Sequence, residues 1–304
     1  MIRFYLRMSL LLLWPAMAAV AQSGAALAVG DTTLANLVVE KAEKFYKAAQ
    51  YDSSYFYDEK AAAFYEKLAT RLHTPRLWEK YIACCNLLGD IARRKNDPNN
   101  AIAYLNKALD WGRIKLGEKH REVAQTFHFL GTVYIDEPDK GLAFFDKALA
   151  IRLLLFGENH VEVGKPYNNL GVLYKARGDY DNAVKFFNKS VAIKIKTSGE
   201  NSLEVARTYN NLADLYRLMG DLDQALKYQI QSFELKQKIL GDDHPEVGGG
   251  HINTGNVYLE RGDFLLALEN YQKAFAFTQR RFGESSPEAA FIASNVGFAY
   301  SSCV

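Results

Sequence analysis

The chain has 304 residues, 49% hydrophobic and 24% charged, which is ordinary globular composition and excludes a disordered or collagen-like protein. Its 37 basic and 35 acidic residues nearly cancel, which argues against a nucleic-acid binder held by a basic surface. Three cysteines, Cys84, Cys85 and Cys303, make no disulfide framework; the adjacent pair falls in a helical pattern and reads as small packing residues.

Residues 1–21 read as a secretory signal peptide. Arg3 and Arg7 form a basic start, residues 8–14 are almost wholly apolar, and Ala19-Val20-Ala21 supplies a cleavage site before Gln22. The apolar run is shorter than the ~20 residues of a membrane span, and no other segment approaches one. Cleavage near Ala21 would leave 35 basic against 35 acidic residues in a secreted or periplasmic protein; an uncleaved anchor is the alternative. Residues 22–32 are small and polar and read as a linker.

From Leu34 onward, Leu34, Leu37, Val38, Ala42, Phe45, Tyr46 and Ala49 follow helical spacing, and Tyr57, Ala61, Phe64, Tyr65 and Leu68 form a second helical face. Residues 33–75 thus form a degenerate first repeat, lacking the glycine and the tight turn of those that follow. The regular array, residues 76–286, comprises five helix pairs. A small residue marks each first helix, at Gly89, Gly131, Gly171, Ala213, Gly255 and Gly297. A second marks each second helix, at Ala101, Gly141, Ala183, Ala225 and Ala267, and a glycine closes it, at Gly117, Gly157, Gly199, Gly241 and Gly283. The period is 42 residues, the signature of a solenoid, with one interval of 40. That deletion falls in the turn at 136–139, between helices expected to be intact.

Each marker has a physical reason. The small residue of a first helix lets a neighbouring helix approach closely. Gly178, Gly220 and Gly262, each followed by Asp, suit a helix stop and a cap. Tyr104, Phe144, Phe186, Tyr228 and Tyr271 are expected to fill the space between layers. Between repeats, Gly241 ends a helix, Pro245 starts the next, and Glu246 faces its N-terminus, as do Glu122, Glu162, Glu204 and Glu288. Gly248-Gly249-Gly250 predicts a locally loose helix, since each glycine costs ~1 kcal/mol against alanine. Residues 287–304 are a partial sixth repeat, a first helix only. This favours a truncated chain; a lone capping helix is the alternative.

No constellation supports an enzyme, a cofactor or a metal. His120, His160 and His244 recur at one repeat position, with Ser202 and Ser286 in their place elsewhere. Successive repeats lie about 10 Å apart, too far for these imidazoles to share an ion, so they read as helix-start residues. Gly164-Lys165 lacks the spacing, the Ser or Thr and the strand of a phosphate-binding loop. Asn188-Lys189-Ser190 matches a glycosylation acceptor but lies within a regular helix.

These repeats resemble the tetratricopeptide repeat in its 42-residue form, as in kinesin light chains and many bacterial proteins. The resemblance covers about residues 76–304 well and 33–75 weakly. It implies an all-α, right-handed superhelical solenoid of antiparallel helix pairs, with the first helices lining a concave groove for extended or helical peptides. In that family the positions of Asn169, Asn211, Asn253 and Asn295 face the groove. A row of carboxamides, each donor and acceptor, can hold a ligand's backbone; bonding within the helix pair is the alternative role. Arg93, Lys165, Lys175, Arg207 and Arg217 fall at groove positions too. Lys165, Asn169 and Asn211 resemble part of a carboxylate clamp, broken by Leu87, Phe129 and Gly249. The central groove therefore reads as basic and its ligand as an acidic protein segment. The expected function is a non-enzymatic protein–protein interaction scaffold. The alternative is the regulatory N-terminal region of a longer protein, since a signal peptide before such repeats resembles bacterial proteins that continue into a CHAT protease domain or a sensor kinase.

Overall fold

The computed structural model describes residues 27–302; the proposed leader and Cys303 lie outside them. The described residues form helices and no strand. They divide into two compact units, the first ending at Ile151 and the second beginning at Arg152. The first contains α1 (Leu27–Lys47), α2 (Tyr51–Leu72), α3 (Pro75–Arg94), α4 (Pro98–Lys115) and α5 (Arg121–Val133), and α6 (Pro138–Phe156) straddles the division. The second contains α7 (Val161–Ala176), α8 (Tyr180–Ser198), α9 (Leu203–Leu218), α10 (Leu222–Leu240), α11 (Pro245–Arg261), α12 (Phe264–Phe282) and α13 (Pro287–Ser302). Helices α3, α5, α7, α9, α11 and α13 are the first, or A, helices of their repeats; α4, α6, α8, α10 and α12 are the B helices. Within each unit consecutive helices pack together. The all-α expectation holds.

The turns are one device used five times. A backbone N–H reaches back to the carbonyl five residues earlier: Gln50 to Phe45 (2.9 Å), Asp97 to Ala92 (2.9 Å), Asp179 to Tyr174 (2.9 Å), Asp221 to Tyr216 (3.0 Å) and Asp263 to Tyr258 (2.9 Å). The residue before each donor is left-handed: Ala49, Asn96, Gly178, Gly220 and Gly262, with φ from 56° to 87°. This is the Schellman stop. Two expectations change here. The first hairpin has the tight turn after all, closed by Ala49 without a glycine, and α1 begins at Leu27, inside the stretch assigned as linker. In three turns the aspartate then caps the next helix, Asp97, Asp179 and Asp221 accepting from Asn100, Asn182 and Gln224.

The small residue of helix A is a seat for one large side chain of helix B. A Cβ on Gly89 would lie 2.6 Å from Leu105, on Gly171 2.7 Å from Phe187, and on Gly255 2.8 Å from Tyr271. Leu105, Phe187 and Tyr271 are at most 1% exposed, and each such burial is worth about 2–3 kcal/mol. At the fourth repeat Ala213 fills part of the seat itself, and the buried Gln229 stands where the ring would be. Tyr271 thus belongs with the seated residues, one position away from Tyr104, Phe144, Phe186 and Tyr228 where it had been grouped. Those four are only half-buried; Phe186 stacks on Tyr174 and Tyr228 on Tyr216.

The two-residue deletion is not confined to a turn. Helix α5 has 13 residues where α7 and α9 have 16, so the end of the A helix is consumed. The triple glycine does not interrupt α11 either. Gly248 and Gly250 are seats, a Cβ there meeting Phe277 at 2.4 Å and Phe233 at 2.7 Å. Cys84 and Cys85 are buried and free, and burial pushes both thiols up. No described helix is long and apolar enough to cross a membrane.

Candidate functional site

The helix-start reading of the histidines holds. His120, His160 and His244 each accept at Nδ1 from the backbone N–H two residues on (3.2 Å), and Ser202 and Ser286 cap α9 and α13 from the same position. Ser190 of the glycosylation-like triplet is buried and donates to the Gly164 carbonyl (2.9 Å), a brace repeated by Ser232 and Ala206 (2.7 Å).

The asparagine ladder is braced from one A helix to the next. Asn211 donates to Asn168 (3.2 Å) and Asn253 to Asn210 (3.4 Å), each partner lying one repeat earlier and one position off the ladder. The row of Asn168 and Asn210 was missed from the sequence, although each residue directly precedes a ladder asparagine. Asn86 is their counterpart in the first unit: Thr126 donates to Asn86 (2.8 Å) as Thr208 donates to Asn168 (3.3 Å). Each bond uses one N–H of the ladder residue and leaves its oxygen and second N–H outside that bond. Asn169, Asn211 and Asn295 are half-buried and Asn253 is exposed. Beyond Asn253 the acceptor position is Ile252, so Asn295 has no equivalent rung.

Three of the five basic residues are matched by acids of the following repeat. Lys175 of α7 pairs with Asp214 of α9; Arg217 pairs with Asp214 (3.1 Å) and with Glu260 of α11 (2.7 Å); Arg207 pairs with Glu246 (2.8 Å). Arg93 pairs with Asp90 on its own helix (2.8 Å). Burial opposes the charge of Asp214, but the bonds from Lys175 and Arg217 outweigh it and hold the carboxyl below its usual range. Glu246 is held low first by the bond from Arg207. Lys165 is exposed and has no carboxylate partner among the described residues. Behind this face, burial pushes Lys194 down to about 8, its ammonium donating to Thr208 and to the Glu204 carbonyl (3.3 Å). Charge on the face is thus balanced far more than the sequence register suggested.

Two cavities lie along α11. One, of about 280 Å³, is polar and bordered by Asn210, Asp214, Arg217, Asn253 and Asn256. The other, of about 430 Å³, is apolar and bordered by Gly249, Ile252, Phe282, Glu288 and Phe291. Gly249 and Asn253 are four residues apart, about 6 Å along a helix.

Stacked hairpins, seated rings and a face of carboxamides and paired charges define a helix-hairpin repeat protein. Models of the tetratricopeptide repeat match residues 82–111, 135–196 and 204–264, together about half of the chain. The chain belongs to the tetratricopeptide-repeat proteins, whose fold is typical of protein–protein interaction scaffolds. It is similar to the crystal structure of BtubC (BKLC) from P. vanneervenii, with a TM-score of 0.68 and 23% identity over 77% of this chain and 92% of that one. A kinesin light chain-like protein of Podosopora anserina with nearly identical TPR-like repeats gives 0.57 and 18%, over 66% and 96%. PilW, a type IV pilus biogenesis factor, gives 0.58 and 16%, over 86% and 98%. At such identities these structures establish the fold alone. No curated protein matches the sequence.

Proposed function

We propose that the chain is a non-enzymatic scaffold that holds a segment of a protein partner along the A helices of its second unit. The observation that carries this reading is the polar cavity beside the apolar one on α11. Carboxamides take peptide N–H and C=O groups whatever the sequence, and an adjacent apolar cavity takes one anchoring side chain. The site comprises the ladder Asn169, Asn211, Asn253 and Asn295, with Lys165, Lys175, Arg207 and Arg217 around it. A preference for acidic segments would rest chiefly on Lys165, because the other three bases already meet carboxylates. The test is Asn211→Ala with Asn253→Ala in one chain. Partner affinity, measured by calorimetry on the captured complex, is expected to fall at least tenfold while helicity is kept. Affinity equal to that of the parent would overturn the assignment.

Export is proposed on the pattern of residues 1–21. N-terminal sequencing of protein recovered from the extracytoplasmic fraction is expected to begin at Gln22; a retained Met1 would refute cleavage.

A further inference from the structure

We propose that the apolar cavity between α11 and α13 takes the guanidinium side chain of an arginine carried by the bound segment. This rests on the peptide-binding reading above and names the chemistry of its anchor. The glutamate at the start of each A helix recurs from α7 to α13 with different neighbours; at α9, Lys194 reaches the Glu204 carbonyl (3.3 Å). At the start of α11, Glu246 meets two cations: Arg207 of α9 at 2.8 Å and Lys236 of α10 at 3.7 Å. At the start of α7, Glu162 meets Arg152, the residue equivalent to Lys236, at 3.8 Å. Glu288 holds this position at the start of α13. One period on, however, Gly249 replaces Arg207 and Thr278 replaces Lys236, and Glu288 has no cationic partner among the described residues.

The missing side chain leaves room. A Cβ on Gly249 would meet nothing within 4 Å, and the cavity it opens into measures about 430 Å³. Its walls are Ile252, Phe282 and Phe291, and Glu288 stands exposed at its border. An arginine combines what this lining asks for. Its stem packs on apolar walls, its planar head is attracted to aromatic faces, and its N–H fork matches a carboxylate. A purely apolar side chain would leave Glu288 unanswered, and an acidic one would oppose it. A ligand arginine would therefore occupy the place that Arg207 fills from within the chain one repeat earlier.

The test uses the full chain and three small probes: N-acetyl-arginine amide, N-acetyl-norleucine amide and N-acetyl-glutamate amide, titrated while backbone amide shifts are followed. The arginine probe is expected to move Gly248, Gly249, Glu288 and Phe291, saturating in the millimolar range and at least fivefold tighter than the norleucine probe. Glu288→Gln should erase that margin. Gly249→Arg should fill the cavity from inside and weaken the arginine probe at least tenfold, with helicity unchanged. Norleucine binding as well as arginine, an undiminished margin in Glu288→Gln, or no shift at Gly249 with any probe would overturn the proposal. Such a result would leave the peptide-binding reading intact if Asn211→Ala with Asn253→Ala still loses the partner.

Discussion

The step from α9 to α11 and the step from α11 to α13 use the same repeat positions, yet one is closed and the other open. In the first, Arg207 and Lys236 converge on Glu246. In the second, Gly249 and Thr278 leave Glu288 alone beside a cavity. The same contrast holds in the core: the Gly171 seat holds Phe187, while a Cβ on Gly297 would meet nothing within 4 Å. Tyr174 and Tyr216 stack on rings of their own B helices, whereas Tyr300 is 64% exposed. A repeat fixes where a position lies; the side chains that meet there decide whether it is spent on the stack or left open.

Five substitutions test that contrast and a sixth tests the first turn, beginning with the largest effect. Gly171→Leu drives a side chain into the Phe187 ring and should cost about 3 kcal/mol in denaturant unfolding. Gly297→Leu at the equivalent position should cost nothing and gain up to about 0.8 kcal/mol of helix propensity. Equal effects would erase the distinction between filled and vacant seats.

Glu246→Gln leaves Lys236 buried without its charge partner and should cost about 2 kcal/mol near pH 7, against less than about 0.5 for Glu288→Gln. The acid limb separates them further. Glu246 is held below its usual range, so its contribution is present above the unfolded value near 4.5 and is lost as pH falls through the folded one. The parent and Glu288→Gln should share that loss of melting temperature below pH 4.5, and Glu246→Gln should show less of it.

Gly249→Arg should raise stability by about 1 kcal/mol, from helix propensity and an exposed pair with Glu288. The smallest effect belongs to the first turn. Ala49→Gly relieves a left-handed alanine and should add about 0.5 kcal/mol, a melting shift of a degree or two.

Most of the fold was legible because it is periodic. Gly178 and Gly220 announced turns, His120 and His244 helix starts, and Gly171 a close packing contact. The start of α1 at Leu27 was missed because propensity is a weak guide at a helix N-terminus. Ala49 hid the first turn because the left-handed region is rare for alanine. The candidate site was half legible. Register put Lys175, Arg207 and Arg217 on one face, but their partners Asp214, Glu246 and Glu260 lie about 40 residues away. A pairing between repeats leaves no local pattern. The triple glycine looked like a weakness, since only the positions of Phe233 and Phe277 show that two of its members are seats.

The two kinds of contact in the second unit have unequal stiffness. Rings on glycine seats join A helix to B helix, and parting them exposes apolar surface. Carboxamide and ion-pair contacts such as Asn211–Asn168 and Arg217–Glu260 join A helix to A helix, and water can replace them at little cost. Apolar contacts also bind hairpin to hairpin in the core, Phe233 of α10 packing at Gly250 of α11, so the exchangeable bonds are a feature of the A-helix face and not of the stack as a whole. That face is where the proposed segment would lie, beside bonds that water already exchanges.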